Sequence, residues 1–186
     1  MKGWKQDILA ILILAVVIHF IALWAIPRLV EGMVEKGMLA KERCKLNAIC
    51  CRDINVAGID EIPMANPDSL FSHLVYDVSK EPLRIHLTVP DTGMYWSFSL
   101  YARNLDNYYV LNDRRLKSEY GSREMEIVLV GPKSHYKKTL ANEVMVVSPS
   151  NRGTGLIRMI IADRYSAEGI EEIRELKKAQ ELSYTE

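Results

Sequence analysis

Ile8–Ile26 reads ILAILILAVVIHFIALWAI, nineteen residues in which His19 is the one polar side chain. At ~1.5 Å rise per residue, about twenty helical residues cross a hydrocarbon layer of roughly 30 Å. The stretch divides the 186-residue chain in two. After it come about 145 residues of mixed polarity, enough to bury one core.

An apolar run of this kind has three readings. Lys2 and Lys5 make a basic leader, as in a cleaved signal peptide. The run, however, exceeds the usual apolar core of about 7–15 residues, and no A-x-A site follows. A buried helix of a soluble protein would show a polar stripe, which is absent. Trp4 and Trp24 stand twenty positions apart, ~30 Å along a helix, matching the two headgroup layers. The expected organisation is a transmembrane anchor over 1–27, a helical stalk over 28–45 and a β-rich domain over 46–186. Pro27 disfavours helical geometry at Ile26 and is expected to kink the exit. Gly32 and Gly37 interrupt the amphipathic stalk.

His19 is an ionisable group within the span. It is either a neutral imidazole bonded to backbone, or an intramembrane contact to a partner helix. Ala15, Ala22 and Ala25 allow close approach, although no G-x-x-x-G is present. Lys and Arg counts favour a cytoplasmic C-terminal side, but long domains translocate largely regardless of charge.

Twenty-four basic and twenty-four acidic residues give a net charge of zero. Nucleic acid as a partner is therefore not expected, since it calls for a basic face. Cys44, Cys50 and Cys51 lack zinc-site spacing, so no metal is expected. Cys50 and Cys51 point to opposite faces of a strand. One of them can pair with Cys44 in an oxidising compartment; otherwise they are small buried apolar groups with one exposed thiol.

The domain reads as strands. Leu83–Val89 alternates, with Leu83, Ile85, Leu87 and Val89 on one face and Arg84, His86 and Thr88 on the other. After the turn signal at Pro90–Gly93, Met94–Ala102 alternates again, Trp96, Phe98 and Leu100 opposite Tyr95, Ser97, Ser99 and Tyr101. These two are expected to form an antiparallel hairpin. Leu70–Val78, Asn107–Leu111, Glu124–Val130, Glu143–Val147 and Leu156–Ile161 complete the strands, and Gly58–Pro67 reads as a loop. Ser166–Leu182 is a helix with Ile170, Ile173 and Leu176 as its stripe, acids early and Lys177 and Lys178 late, as the macrodipole prefers. About seven strands followed by one helix make an α+β fold, an antiparallel β-sandwich-like domain with a C-terminal helix behind a single transmembrane helix.

The polar face of the expected hairpin gathers Arg84, His86, Tyr95 and Tyr101, with Arg103, Asn107 and Tyr108 nearby in sequence. Rings, amides and guanidinium groups suit a polar ligand such as a glycan, and equally a protein contact. Asn151–Gly155 reads as a Gly-rich loop before a strand, whose amides could cradle an anion. His73, His86 and His135 accompany no G-x-S-x-G motif, so no catalytic residue and no cofactor is assigned, and an enzyme is the less expected outcome.

YDVSKEP at 76–82 leading into Leu83-Arg84-Ile85, VPDTG at 89–93, YWSFSLY at 95–101 and Asn107-Tyr108-Tyr109 resemble the bacterial domain-of-unknown-function family 1254, in its short, membrane-anchored branch. The resemblance extends to Pro27-Arg28 closing the span and to a late apolar strand before a C-terminal helix. It implies an exported β-rich domain in the bacterial envelope, with the N-terminus cytoplasmic and the domain periplasmic. It also implies a companion domain of unknown function and no established catalytic residues. The expected function is an accessory or interaction subunit of a larger inner-membrane assembly, its partners the bilayer and other membrane or periplasmic proteins. The alternative is an anchored enzyme or binding domain for a polar envelope molecule.

Overall fold

The computed structural model describes residues 3–40, 44–51, 66, 68–90, 93–137, 143–163 and 165–186. The loop expected over 58–67 lies outside these residues except at Asn66, as do Asp91 and Thr92 of the expected turn.

The apolar stretch belongs to α1 (Gly3–Leu39), which runs without a break through Pro27 and ends before the expected stalk boundary. Proline forfeits one backbone bond, and the helix continues through it. Arg28 folds back beside the proline, donating to the Trp24 carbonyl at 2.6 Å with its guanidinium 4.7 Å from that indole ring. Among the described residues, the large apolar side chains of 8–26 stand exposed.

Among the described residues, nine strands and two more helices follow: β1 (Ile49–Cys51), β2 (Ser69–Asp77), β3 (Leu83–Thr88), β4 (Trp96–Ala102), β5 (Asn107–Asn112), α2 (Asp113–Tyr120), β6 (Glu124–Val130), β7 (Val144–Val147), β8 (Arg152–Ile160), α3 (Ala167–Leu182) and β9 (Tyr184–Thr185). They form a five-stranded sheet, β1-β2-β8-β4-β5, facing a four-stranded sheet, β7-β6-β3-β9. All neighbours are antiparallel except β6 and β7, which makes the second sheet mixed. The architecture is α+β, as expected.

The alternations placed the strand faces correctly. Leu83, Ile85 and Leu87 meet Trp96, Phe98 and Leu100 in one core with Leu70, Leu74, Ile127, Leu129, Ile157 and Met159. Each large side chain buried there contributes about 1.5–3 kcal/mol of transfer free energy. The expected hairpin, however, does not form. β3 lies between β6 and β9, whereas β4 lies between β8 and β5 in the other sheet. The chain between them crosses the sandwich. Two strands stacked across a core carry the same alternation as two strands paired side by side, so periodicity fixes the face and not the partner.

Three further expectations change. Gly153, Thr154 and Gly155 lie inside β8, paired on both sides with β2 and β4, so no loop cradles an anion there. Residues 113–120 form α2, capped by the Asn112 side chain on the Arg115 amide at 2.8 Å and closed by Gly121 at φ 61°. In α3, Ile170 is exposed, and the buried set is Gly169, Leu176, Ala179 and Gln180 with Ile173 beside the core. Gln180 Nε2 donates to the Phe71 carbonyl at 3.0 Å and to Ser72 Oγ at 2.5 Å, while Ser183 Oγ accepts from the Thr88 amide at 3.0 Å. The helix thereby fastens β2 of one sheet to β3 of the other.

Cys44 and Cys50 form a disulfide, and Cys51 is free and exposed. Burial pushes the Cys51 thiol up, and the neighbouring Ser72 hydroxyl offsets part of that rise.

Candidate functional site

The residues expected on one hairpin face separate onto two sheets. Arg84 and His86 project from the outer face of β3 in the four-stranded sheet. The Arg84 guanidinium pairs with Glu126, with Glu143 at 2.9 Å and with the Tyr136 hydroxyl at 3.0 Å, and Tyr136 donates to Glu143 at 2.7 Å. This network ties the segment that crosses from β6 to β7 against the sheet. His86 stacks on Tyr184 at 4.9 Å. The hollow between Arg84, His86, Glu126, Tyr184 and Glu186 holds about 30 Å³. That is one water molecule's room, against the hundreds of Å³ of a small-molecule site.

Tyr95 stands exposed ahead of β4, its carbonyl accepting from the Ile160 amide at 3.0 Å. Asn107 is exposed at the start of β5 and registers with Tyr101. The Tyr101 backbone and the Tyr108 side chain do come together, at Tyr76, while Arg103 lies 3.8 Å from Glu35. The Tyr76 hydroxyl bonds the Tyr101 carbonyl at 3.1 Å, the Tyr108 hydroxyl at 3.0 Å and Ser148 Oγ at 3.0 Å. Burial drives the Tyr76 and Tyr108 phenols up, so both stay protonated donors. Gly153 makes room for this phenol. It registers opposite Tyr76, and a Cβ there would collide with the Tyr76 hydroxyl and the Tyr101 carbonyl.

Beside this cluster the end of α1 meets the outer face of the five-stranded sheet. Glu31 is 2% exposed and Glu35 8%. Glu35 accepts from Arg152 Nη2 at 3.0 Å and lies 3.8 Å from Arg103 Nη1. Arg152 Nε reaches Asp77 at 3.1 Å. Burial works to raise Asp77, but the Ser79 hydroxyl and amide together with Arg152 hold it below the usual carboxylate range. Burial raises Glu31 above the usual range; the Thr154 hydroxyl and Arg103 oppose this and Glu35 adds to it. Of this junction the sequence reading found only Arg103. Glu31 and Glu35 fall within the expected stalk, and their i, i+4 spacing places them on one helix face. Asp77 and Arg152 are register partners across β2 and β8, 75 positions apart in sequence, a pairing that no local pattern announces.

His19 sits within the exposed apolar part of α1, its ring edge-on to Phe20 at 6.0 Å. Among the described residues no group of three His, Cys, Asp or Glu side chains is arranged to hold a metal ion.

The sandwich is similar to that of the VPA0106 protein from Vibrio parahaemolyticus, with a TM-score of 0.67 at 12% identity over 88% of this chain. The match occupies 36% of that protein, so this chain spans about a third of its length. An uncharacterised protein from Burkholderia cenocepacia matches at a TM-score of 0.44 and 15% identity, over 62% of this chain and 31% of its own. No curated protein matches the chain. The family model described as protein of unknown function (DUF1254) matches residues 52–183, from the end of β1 through α3, and the chain accordingly belongs to the DUF1254 family.

Proposed function

We propose that this protein is a single-span component of the bacterial inner membrane, of the short anchored branch of its family, whose sandwich domain serves on the periplasmic side as an accessory subunit of a larger assembly. One observation carries the reading. An apolar helix whose large side chains stand exposed continues directly into Glu35, which Arg152 and Arg103 hold on the sheet. Such a helix presents a continuous apolar surface to lipid and holds the domain against the membrane. The Cys44–Cys50 disulfide fits an oxidising compartment. Binding of a polar envelope molecule would need Arg84, His86, Tyr95, Tyr101 and Arg103 in one pocket, and they occupy different faces.

Thiol chemistry tests the topology. A membrane-impermeant maleimide should label one cysteine, Cys51, in intact spheroplasts, and all three after denaturation and reduction. Because burial raises the Cys51 thiol, labelling should accelerate as pH rises, by up to about tenfold per unit below its pKa. Labelling that appears only after lysis would put the domain in the cytoplasm and overturn the placement.

A further inference from the structure

The junction between α1 and the sheet contains a group that the ion pairs do not use. Both Glu31 oxygens are buried without a hydrogen-bond partner of normal geometry. A carboxylate in such a place is costly, because water is lost and nothing replaces it; a neutral carboxyl loses far less. The surroundings are known from each side. Glu35 lies on α1 itself, Thr154 on β8, Arg103 after β4 and Tyr76 on β2, with Arg152 and Asp77 one contact further out. Arg103 is already near Glu35, and Arg152 is shared between Glu35 and Asp77. Neither guanidinium is committed to Glu31.

We infer that the seating of α1 on the five-stranded sheet is coupled to a proton on Glu31, so that the domain is clamped to its anchor in acid and loosened in alkali. The released form needs no unfolding of the sandwich, since β2, β8 and β4 keep their mutual ladders. What turns is the angle between helix and domain. In an envelope setting this makes the presentation of the domain to a membrane partner depend on external pH, a consequence that rests on the anchor reading. The coupling itself does not.

The sign follows from linkage. Burial raises Glu31 in the seated state above its value when released. Seating therefore binds a proton, is strongest below the released-state pKa, and weakens as pH rises toward the raised one. The limit is about tenfold per pH unit for one proton.

The test is amide hydrogen exchange of residues 31–39 in the full chain, reconstituted in vesicles and corrected for the intrinsic pH dependence of exchange. From about pH 5 to about pH 9, protection in the wild type should fall with rising pH, at most tenfold per unit. Glu31→Gln, a permanently neutral isostere, should stay protected and lose the slope. Glu35→Gln should lower protection at every pH and keep the slope, because it weakens the ion pairs alone. A pH-independent wild type, a slope that survives in Glu31→Gln, or a slope abolished by Glu35→Gln overturns the coupling. Flotation with the vesicles, measured on the same samples, reports the anchor separately.

Discussion

Gly153→Ala should lower the melting temperature of the domain by roughly 10 °C, as read by circular dichroism. The added Cβ meets the Tyr101 carbonyl, the Tyr76 hydroxyl and, at 2.7 Å, the Tyr76 ring carbon that carries it. Neither neighbour yields easily. The carbonyl is part of the β4 ladder, and the phenol is held at three hydrogen bonds in a buried position. Overpacking of this kind costs about 3 kcal/mol, and a domain of this size loses roughly 2–4 °C per kcal/mol. Tyr76→Phe alone forfeits the hydroxyl's bonds and costs about 1 kcal/mol. Combined with Gly153→Ala it should cost less than the sum, because removing the hydroxyl relieves one of the collisions. Strict additivity would mean that Tyr76 and Gly153 are not coupled as their register requires.

Glu35→Lys should detach α1 from the sheet while leaving the sandwich folded. The substitution faces Arg152 and Arg103 with a third positive charge in place of their shared carboxylate. Breaking a mostly buried pair costs about 3–5 kcal/mol, and the partial exposure of both arginines brings the figure to about 2–3. Exchange protection over 31–39 should then fall by some tenfold or more, with the far-ultraviolet melting curve of the domain shifted by only a degree or two. The separation is expected because the sandwich core contains no residue of α1. If the whole domain melts with the helix, α1 is part of the fold rather than its support.

How far the sequence discloses this structure depends on the range of the information. Alternation in Leu83–Val89 and Met94–Ala102 determined which side chains enter the core, since burial is decided residue by residue along a strand. It could not determine that β3 and β4 belong to different sheets, because both arrangements bury the same residues. That single ambiguity dispersed the proposed polar face: Arg84 and His86 belong to the four-stranded sheet, Tyr101 and Tyr108 to strands of the five-stranded one, and Tyr108 packs against the core. α2 escaped notice because one apolar residue, Leu116, docks it, leaving no stripe to read. The Gly-rich run at 151–155 suggested a loop, since glycine is common in turns, whereas here it admits the Tyr76 phenol into a central strand. The junction at Glu31 and Glu35 was hidden for a related reason. Charges beside an apolar span look like a solvated stalk until the tertiary fold brings a sheet against them.

Above all, the chain is proposed to be an anchored member of an assembly. The most direct test of this is gentle detergent extraction of the tagged protein at native expression, followed by size analysis and mass spectrometry of what travels with it. The account predicts a particle well above the size of the single chain, with defined membrane or periplasmic subunits in constant proportion. A monodisperse particle of the chain alone, or recovery in the soluble fraction without detergent, would contradict it.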